Sequence, residues 1–336
     1  MTCHPWRRYG TLVAALLGLL SPACGSIGPR LEPAQVARVR RTMLRSHIPE
    51  RQVRIMWVAS HMGGGLGLMG AVIDGSVNRG RKNAAEEMVR PLHAQTMDVN
   101  YQWMFWSSLE AALRDVMWLK PIGFDRKPAP FEDLSDQELA QHAVLRMGTG
   151  FEISVDSSTL LVETGLGFFE QGGSGSLAAA TSVCYRSAQV GPVENEKAIS
   201  LWAANGGARY RMAVAEGIAE NVKLIRLATL CMGGMNCPFE SKHHLRFRLG
   251  EGRGDFGVRV GVVDADGTII EEGPYRVVFR DSSGSFYSIP RSSIESQSGH
   301  GPPPAPPPVL APPPVAPAPP PVAPAPSPAL PSVAGK

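Results

Sequence analysis

The sequence predicts an α+β fold: an antiparallel meander sheet packed by long helices, then a small β-rich, barrel-like module and a disordered Pro/Ala tail. Three observations carry that expectation. Between His142 and Gln189, three apolar extended runs are separated by short turns rich in Ser and Gly. Before and after them, Tyr101 to Met117 and Ala208 to Leu230 repeat apolar residues at three- and four-residue intervals, the mark of one-faced helices. Beyond His243 the texture changes to short strands joined by tight glycine turns, and from Gly301 to prolines that cannot build a core.

The expected division is 1–23 signal peptide, 24–52 tether, 53–237 α+β domain, 238–296 small β module and 297–336 Pro/Ala-rich tail. The chain has 336 residues, 43% of them hydrophobic, enough to bury a sizeable core. Its formal charge is +3, and Arg7 and Arg8 fall in the first 23 residues, which hold no acid, so the remainder carries +1. That balance, with no dense Lys/Arg cluster, argues against nucleic acid as a partner.

Arg7 and Arg8 precede an apolar core, Thr11 to Leu20, of signal-peptide length and too short to span a bilayer. Ser21-Pro22-Ala23-Cys24-Gly25 follows and resembles a bacterial lipobox, although Ser21 stands where that pattern has Leu. The resemblance implies that Cys24 becomes the lipidated, palmitate-bearing first residue. Gly25, rather than Asp, then implies the outer membrane. An ordinary signal peptide cut nearby would leave the protein periplasmic or secreted. Of five cysteines, Cys3 lies in the signal, and Cys184 reads as a small buried hydrophobe in a strand. Cys231 and Cys237 flank a short glycine-bearing loop that a disulfide could close in an exported chain. That spacing does not suit a zinc site, and no metal is expected.

Gly63 to Gly75, GGGLGLMGAVIDG, is open to three readings. Gly63, Gly67, Ala71 and Gly75 recur every fourth position, which on a helix makes a ridge for close helix contact or oligomerisation. The glycines could instead serve a turn leading into a helix. Gly65-x-Gly67-x-x-Gly70, after an expected strand at Val53–Ala59, has the spacing of a dinucleotide-binding turn. Against that third reading, no second parallel strand ending in an acid follows about 20 residues later; Glu86 and Glu87 sit inside a charged helical run. As a helix, 63–75 would be about 18 Å long, short of a hydrocarbon core of about 30 Å, and Asp74 interrupts it. An oligomer-lining or re-entrant segment fits better than a span.

The remaining elements follow in order. Residues 25–52, with prolines and six arginines, read as a solvated tether with a short basic helix at Ala34–Leu44, or as a segment resting on anionic lipid. A helix is expected from about Leu68 to Met97, kinked or split at Pro91. In Tyr101–Met117 the core face is expected to hold Trp103, Trp106, Leu109, Leu113 and Val116. Trp118–Phe124 reads as a strand, and Ser135 as the cap of a single turn. Asp156-Ser157-Ser158 is a hairpin turn, and Met212 is placed on the buried face of the Ala208–Leu230 helix. That helix stops at Gly233-Gly234. In the tail, 17 of the chain's 30 prolines lie after Gly301, and PPPVAPAP occurs twice. Such a run favours polyproline II and could reach roughly 100 Å as a stiff arm.

Two resemblances follow from this order. Gly63 to Ala85, then Trp202-Ala203-Ala204-Asn205-Gly206-Gly207-Ala208 with its long helix and a strand ending Ser288-Ile289-Pro290, resembles bacterial envelope lipoproteins that carry a glycine-zipper segment and have no assigned activity. The element order from 53 to 230 is more distantly similar to auxiliary lipoproteins of ABC-type transport. There is no G-x-S-x-G, HExxH or Walker lysine, and the pairs Glu86-Glu87 and Glu271-Glu272 read as solvated. The expectation is a non-enzymatic, cofactor-free, outer-membrane-anchored periplasmic lipoprotein. It would be a structural or accessory binding subunit of an envelope assembly or transport system, bound to the membrane by its lipid and to an envelope protein. The alternatives are a glycine-zipper membrane-inserting homo-oligomer and a nucleotide-binding enzyme.

Overall fold

The computed structural model describes residues 30–49, 53–56, 67–127, 134–172, 175–235, 237, 243–253 and 259–294. The expected signal segment, Cys24, Gly63, Gly65 and the proline-rich tail lie outside them.

The chain is mixed α/β, with a large, mostly antiparallel sheet. Its elements are α1 (Pro33–Arg38), β1 (Thr42–His47), β2 (Arg54–Ile55), α2 (Gly67–Thr96), α3 (Tyr101–Arg114), β3 (Pro121–Lys127), α4 (Asp136–Gln141), β4 (Ala143–Ile153), β5 (Leu160–Phe169), β6 (Leu177–Arg186), α5 (Asn195–Met232), β7 (His243–Arg253), β8 (Arg259–Glu272), β9 (Arg276–Asp281) and β10 (Phe286–Pro290). The strand order is β3-β1-β4-β5-β6-β10-β9-β8-β7, with β2 pairing to β4 off this path. β4, β5 and β6 pair antiparallel in succession. β1 lies parallel between β3 and β4, and β10 joins β6 in parallel.

Two of these pairings correct the expected division. The segment read as a tether enters the sheet: Thr42, Leu44 and Ser46 of β1 are buried, alternating with less buried neighbours as a strand requires. Arg45, which looked like one more solvated arginine, is paired with Asp125 of β3 at 3.3 Å and with Glu138 of α4. The later strands, β7 to β10, extend the same sheet rather than forming a module of their own. They curl over it. Three strand spacings would put β7 about 14 Å from β10 in a flat sheet, yet the Phe247 and Tyr287 rings are 5.3 Å apart. The curl encloses a second core of Leu161, Cys184, Phe247, Phe279, Tyr287 and Ile289. The main core, on the helix-bearing face, holds Val162, Val183, Tyr185, Phe105 and Ile218.

The helices differ from expectation in ways that packing explains. α2 is continuous through Pro91; Val89 and Leu92 anchor that stretch in the core, and the His93 ring meets the Val53 carbonyl at 2.6 Å. The Asn100 side chain caps α3 by accepting from Trp103 N–H at 3.0 Å. Its buried stripe is Tyr101, Phe105, Leu109 and Leu113. Trp103 is about 200° round the helix from Tyr101 and stands 61% exposed, not in the core as expected. The first turn of α4 is capped by the Ser135 hydroxyl. β3 begins at Pro121, later than the expected strand at Trp118, because Trp118 turns under α5 and donates its indole N–H to the Thr229 carbonyl at 3.0 Å. α5 comprises two limbs separated at Ala204–Gly207, where Asn205, Gly206 and Gly207 have φ of 53°, 66° and 75°. On the second limb Met212 is 48% exposed rather than buried. Gly217 provides the contact with the sheet: a Cβ there would lie 2.9 Å from Val162 Cγ2.

Candidate functional site

The four small residues of the zipper reading are only partly described. α2 begins at Gly67, so Gly67, Gly70, Ala71 and Gly75 belong to one helix. Arg79 to Ala84, farther along it, are each exposed, and a Cβ on Gly80 would meet nothing within 4 Å. One and a half turns of α2 therefore stand clear of the sheet before Val89 enters the core. Glu86 and Glu87, at the position where the dinucleotide pattern wants a strand-end acid, are exposed on this helix beside Lys82 and Arg90. None of the described helices is long and apolar enough to cross a membrane.

Cys231 and Cys237 are joined in a disulfide, with Cα atoms 4.8 Å apart. It closes the loop that leaves α5. Gly233 is needed there, since a Cβ would lie 2.6 Å from Trp118 Cδ1. The Leu31 N–H donates to the Met232 carbonyl at 2.9 Å. The start of the described chain, the Trp118 turn and the end of α5 thus form one junction.

The sheet also gathers groups that sequence reasoning did not single out. Register sets Gly150, Glu163, Cys184 and Tyr287 side by side on the face away from the helices. Glu163 is 1% exposed and neither of its carboxyl oxygens has a hydrogen-bond partner. Burial pushes this carboxyl well above the usual carboxylate range; the Glu152 carboxylate adds to the shift and the Arg54 guanidinium opposes it. Arg54 is itself held by Glu152, with Nε 2.9 Å from Oε1. Burial also raises the Cys184 thiol, and Glu163 adds to that shift, so Cys184 is a packed thiol and not a thiolate nucleophile. The available signal was a lone Glu in the apolar run LLVETGLGFF. On the helix face, Thr149, Thr164 and Asn221 form a buried chain, with Asn221 Nδ2 donating to the Val162 carbonyl at 2.8 Å.

A cavity of about 760 Å³ opens between the β4–β5 turn and the start of α5, lined by Met88, Asp156, Ser158, Val193, Glu194 and Lys197 among others. Asp156 is already engaged. It accepts from the Ser158 N–H at 3.1 Å, the Ser158 hydroxyl at 2.8 Å and the Ser154 hydroxyl. Burial works against its ionisation, but these bonds outweigh it and hold the carboxyl below its ordinary value. The Asn195 N–H donates to the Asp156 carbonyl at 2.8 Å, tying the hairpin to α5. Asp156 therefore builds the wall of the cavity, and its carboxylate is taken up by these bonds. Among the described residues, no group of three His, Cys, Asp or Glu side chains is placed to hold a metal ion. The chain matches no protein-family model, no curated protein and no solved structure.

Proposed function

We propose that this protein is a non-enzymatic lipoprotein of the bacterial envelope. It is held at the outer membrane by lipid on Cys24 and faces the periplasm, as a structural or accessory binding subunit of an envelope assembly or transport system. The observation that carries this reading is the Cys231–Cys237 disulfide in a chain that opens with an export-type segment. Such a cross-link persists in an oxidising compartment and is rare in the cytosol. The engaged Asp156 and the protonated, packed Cys184 favour binding over catalysis. The proline-rich tail serves in this reading as a spacer toward the envelope partner. Cys24→Ser should abolish palmitate incorporation and move the protein from the membrane to the soluble periplasmic fraction. Unchanged mass and membrane retention would contradict the anchor.

A second reading, a homo-oligomer built on the glycine ridge, draws on Gly67, Ala71 and Gly75 sharing one helix that stands clear of the sheet at Arg79–Ala84. In this reading Gly67→Leu lowers the oligomer mass seen by analytical ultracentrifugation and blocks insertion into liposomes. Wild type and variant sedimenting alike as monomers would eliminate it.

A further inference from the structure

The junction at the end of α5 carries a surface whose chemistry is one-sided. Met117 is 79% exposed and Met235 40% exposed, although both are large apolar side chains. Around them lie Arg30, Arg40, Arg41 and Lys120, all exposed. Direct contacts link these residues into one region. Trp118, next to Met117, abuts Gly233, and a Cβ on Gly234 would lie 3.0 Å from the Arg30 guanidinium. Lys120 Nζ donates to the Val39 carbonyl at 2.7 Å, and the Thr42 N–H donates to the Lys120 carbonyl at 3.2 Å. Against these cations stand Glu32, Asp115 and Glu170, the last ion-paired with Arg38 at 3.5 Å.

The same end is where residue 30 joins the body. Cys24 is six residues away, so a lipid on it can lie at most about 20 Å from Arg30. The second limb of α5 separates this end from the exposed Met97, Trp103 and Met212. From Met212 to Met232 is about 30 Å of helix, and Asp98, beside Met97, is bonded to Arg211 at 2.6 Å. Two patches of exposed apolar side chains thus sit at opposite ends of one helix, and the short leash reaches only the basic one.

We infer that the surface formed by Arg30, Arg40, Arg41, Met117, Lys120 and Met235 seats the domain on an anionic bilayer. The arginines and lysine meet headgroup phosphates, and the two methionines enter the acyl boundary. The lipid on Cys24 and this surface act as the two weak signals that together give stable attachment. This orientation directs Trp103 and the opening of α2 away from the membrane. The inference rests on the lipoprotein reading for the position of the anchor, but the surface can be tested without the anchor.

The test uses the full exported chain carrying Cys24→Ser, mixed with vesicles of phosphatidylcholine alone or with 30% phosphatidylglycerol, and read by flotation. Each basic side chain near an anionic surface raises partitioning by roughly fivefold. The chain should float with the anionic vesicles only and be released by high salt. Arg40→Glu with Arg41→Glu should weaken binding by more than about tenfold, and Met117→Gln with Met235→Gln should weaken it at unchanged thermal unfolding. Arg90→Glu, on α2 and outside this surface, should bind like the parent. Absence of binding to anionic vesicles, or equal loss in the Arg90→Glu control, would overturn the inference. So would binding to both vesicle types that ignores the Arg40 and Arg41 changes. Palmitate labelling of the wild type reports separately on Cys24: a labelled wild type with a Cys24→Ser chain that ignores vesicles defeats the surface alone. An unlabelled wild type whose Cys24→Ser form floats defeats the anchor alone.

Discussion

Gly207→Val should lower the unfolding free energy by about 2–5 kcal/mol, measured by chemical denaturation of the full chain. Two costs combine. The residue has φ of 75°, where a β-branched side chain costs about 1–2 kcal/mol. A Cβ would also lie 2.5 Å from Thr96 Cγ2 at the end of α2, and overpacking of that kind adds about 1–3 kcal/mol. Gly206→Ala separates the two costs: its φ is 66°, but a Cβ there would meet nothing within 4 Å, so about 1–2 kcal/mol is expected. Equal effects at both positions would show that the approach of α5 to Thr96 contributes nothing. The bend matters because it is where α2, α3 and α5 meet. Arg211 bridges from the Gly206 carbonyl, at 3.0 Å, to the Gln95 carbonyl and to both oxygens of Asp98. Trp202, just before the bend, donates its indole N–H to the Ser157 carbonyl at 2.8 Å. Loosening the bend should therefore free the standing limb of α2 and the wall of the cavity together.

Glu163→Gln should flatten the dependence of stability on pH. Burial raises the folded-state pKa of Glu163 above the unfolded-chain value of about 4.3. Between those two values the folded protein retains a proton that the unfolded chain has released. The stabilisation is fully present below about pH 4. It is lost as pH rises toward and through the folded pKa, by up to about 1.4 kcal/mol per unit. The amide keeps the shape of the neutral acid and removes the titration. Wild type should thus lose stability relative to Glu163→Gln as pH rises above the unfolded-chain value of about 4.3, read as the difference between two denaturation series. Parallel pH profiles would show that Glu163 is ionised in the fold. The charged pair beside it gives an internal control. Arg54→Met removes the cation that opposes the shift and leaves the Glu152 carboxylate without its guanidinium partner, so the wild-type slope should extend to higher pH.

Much of the local structure was legible because it depends on neighbours in the chain. The β4, β5 and β6 runs announce themselves by apolar, β-favouring residues between Ser- and Gly-rich turns. The Ser135 cap needs only its own first turn, and the stop of α5 needs only Gly233 and Gly234. Cys231 and Cys237 lie close enough in sequence that their pairing was at least a candidate. What failed in the reading failed at long range. Thr42–His47 carries no stronger strand signal than the residues around it. It becomes a strand because Asp125 and Glu138, some 80 to 93 residues later, receive Arg45, and because β3 and β4 flank it in parallel. Trp103 obeyed the apolar rule in composition but not in angle, and only the position of the sheet fixes which side of α3 is inside.

The order of residues alone marked out the apolar segment behind Arg7 and Arg8, the segments with helix or strand character, the places where glycine ends them, and the proline-rich stretch. Those are properties of composition and short-range periodicity. Packing between distant segments is what extends the sheet through β7–β10 and curls it over, and what buries a lone Glu in β5 without a hydrogen-bond partner. It likewise decided that the cations at residues 30, 40, 41 and 120 share one end with two exposed methionines. Strand pairing, desolvation and surface charge are set by residues brought together from distant parts of the chain, and no local pattern records which of them will meet.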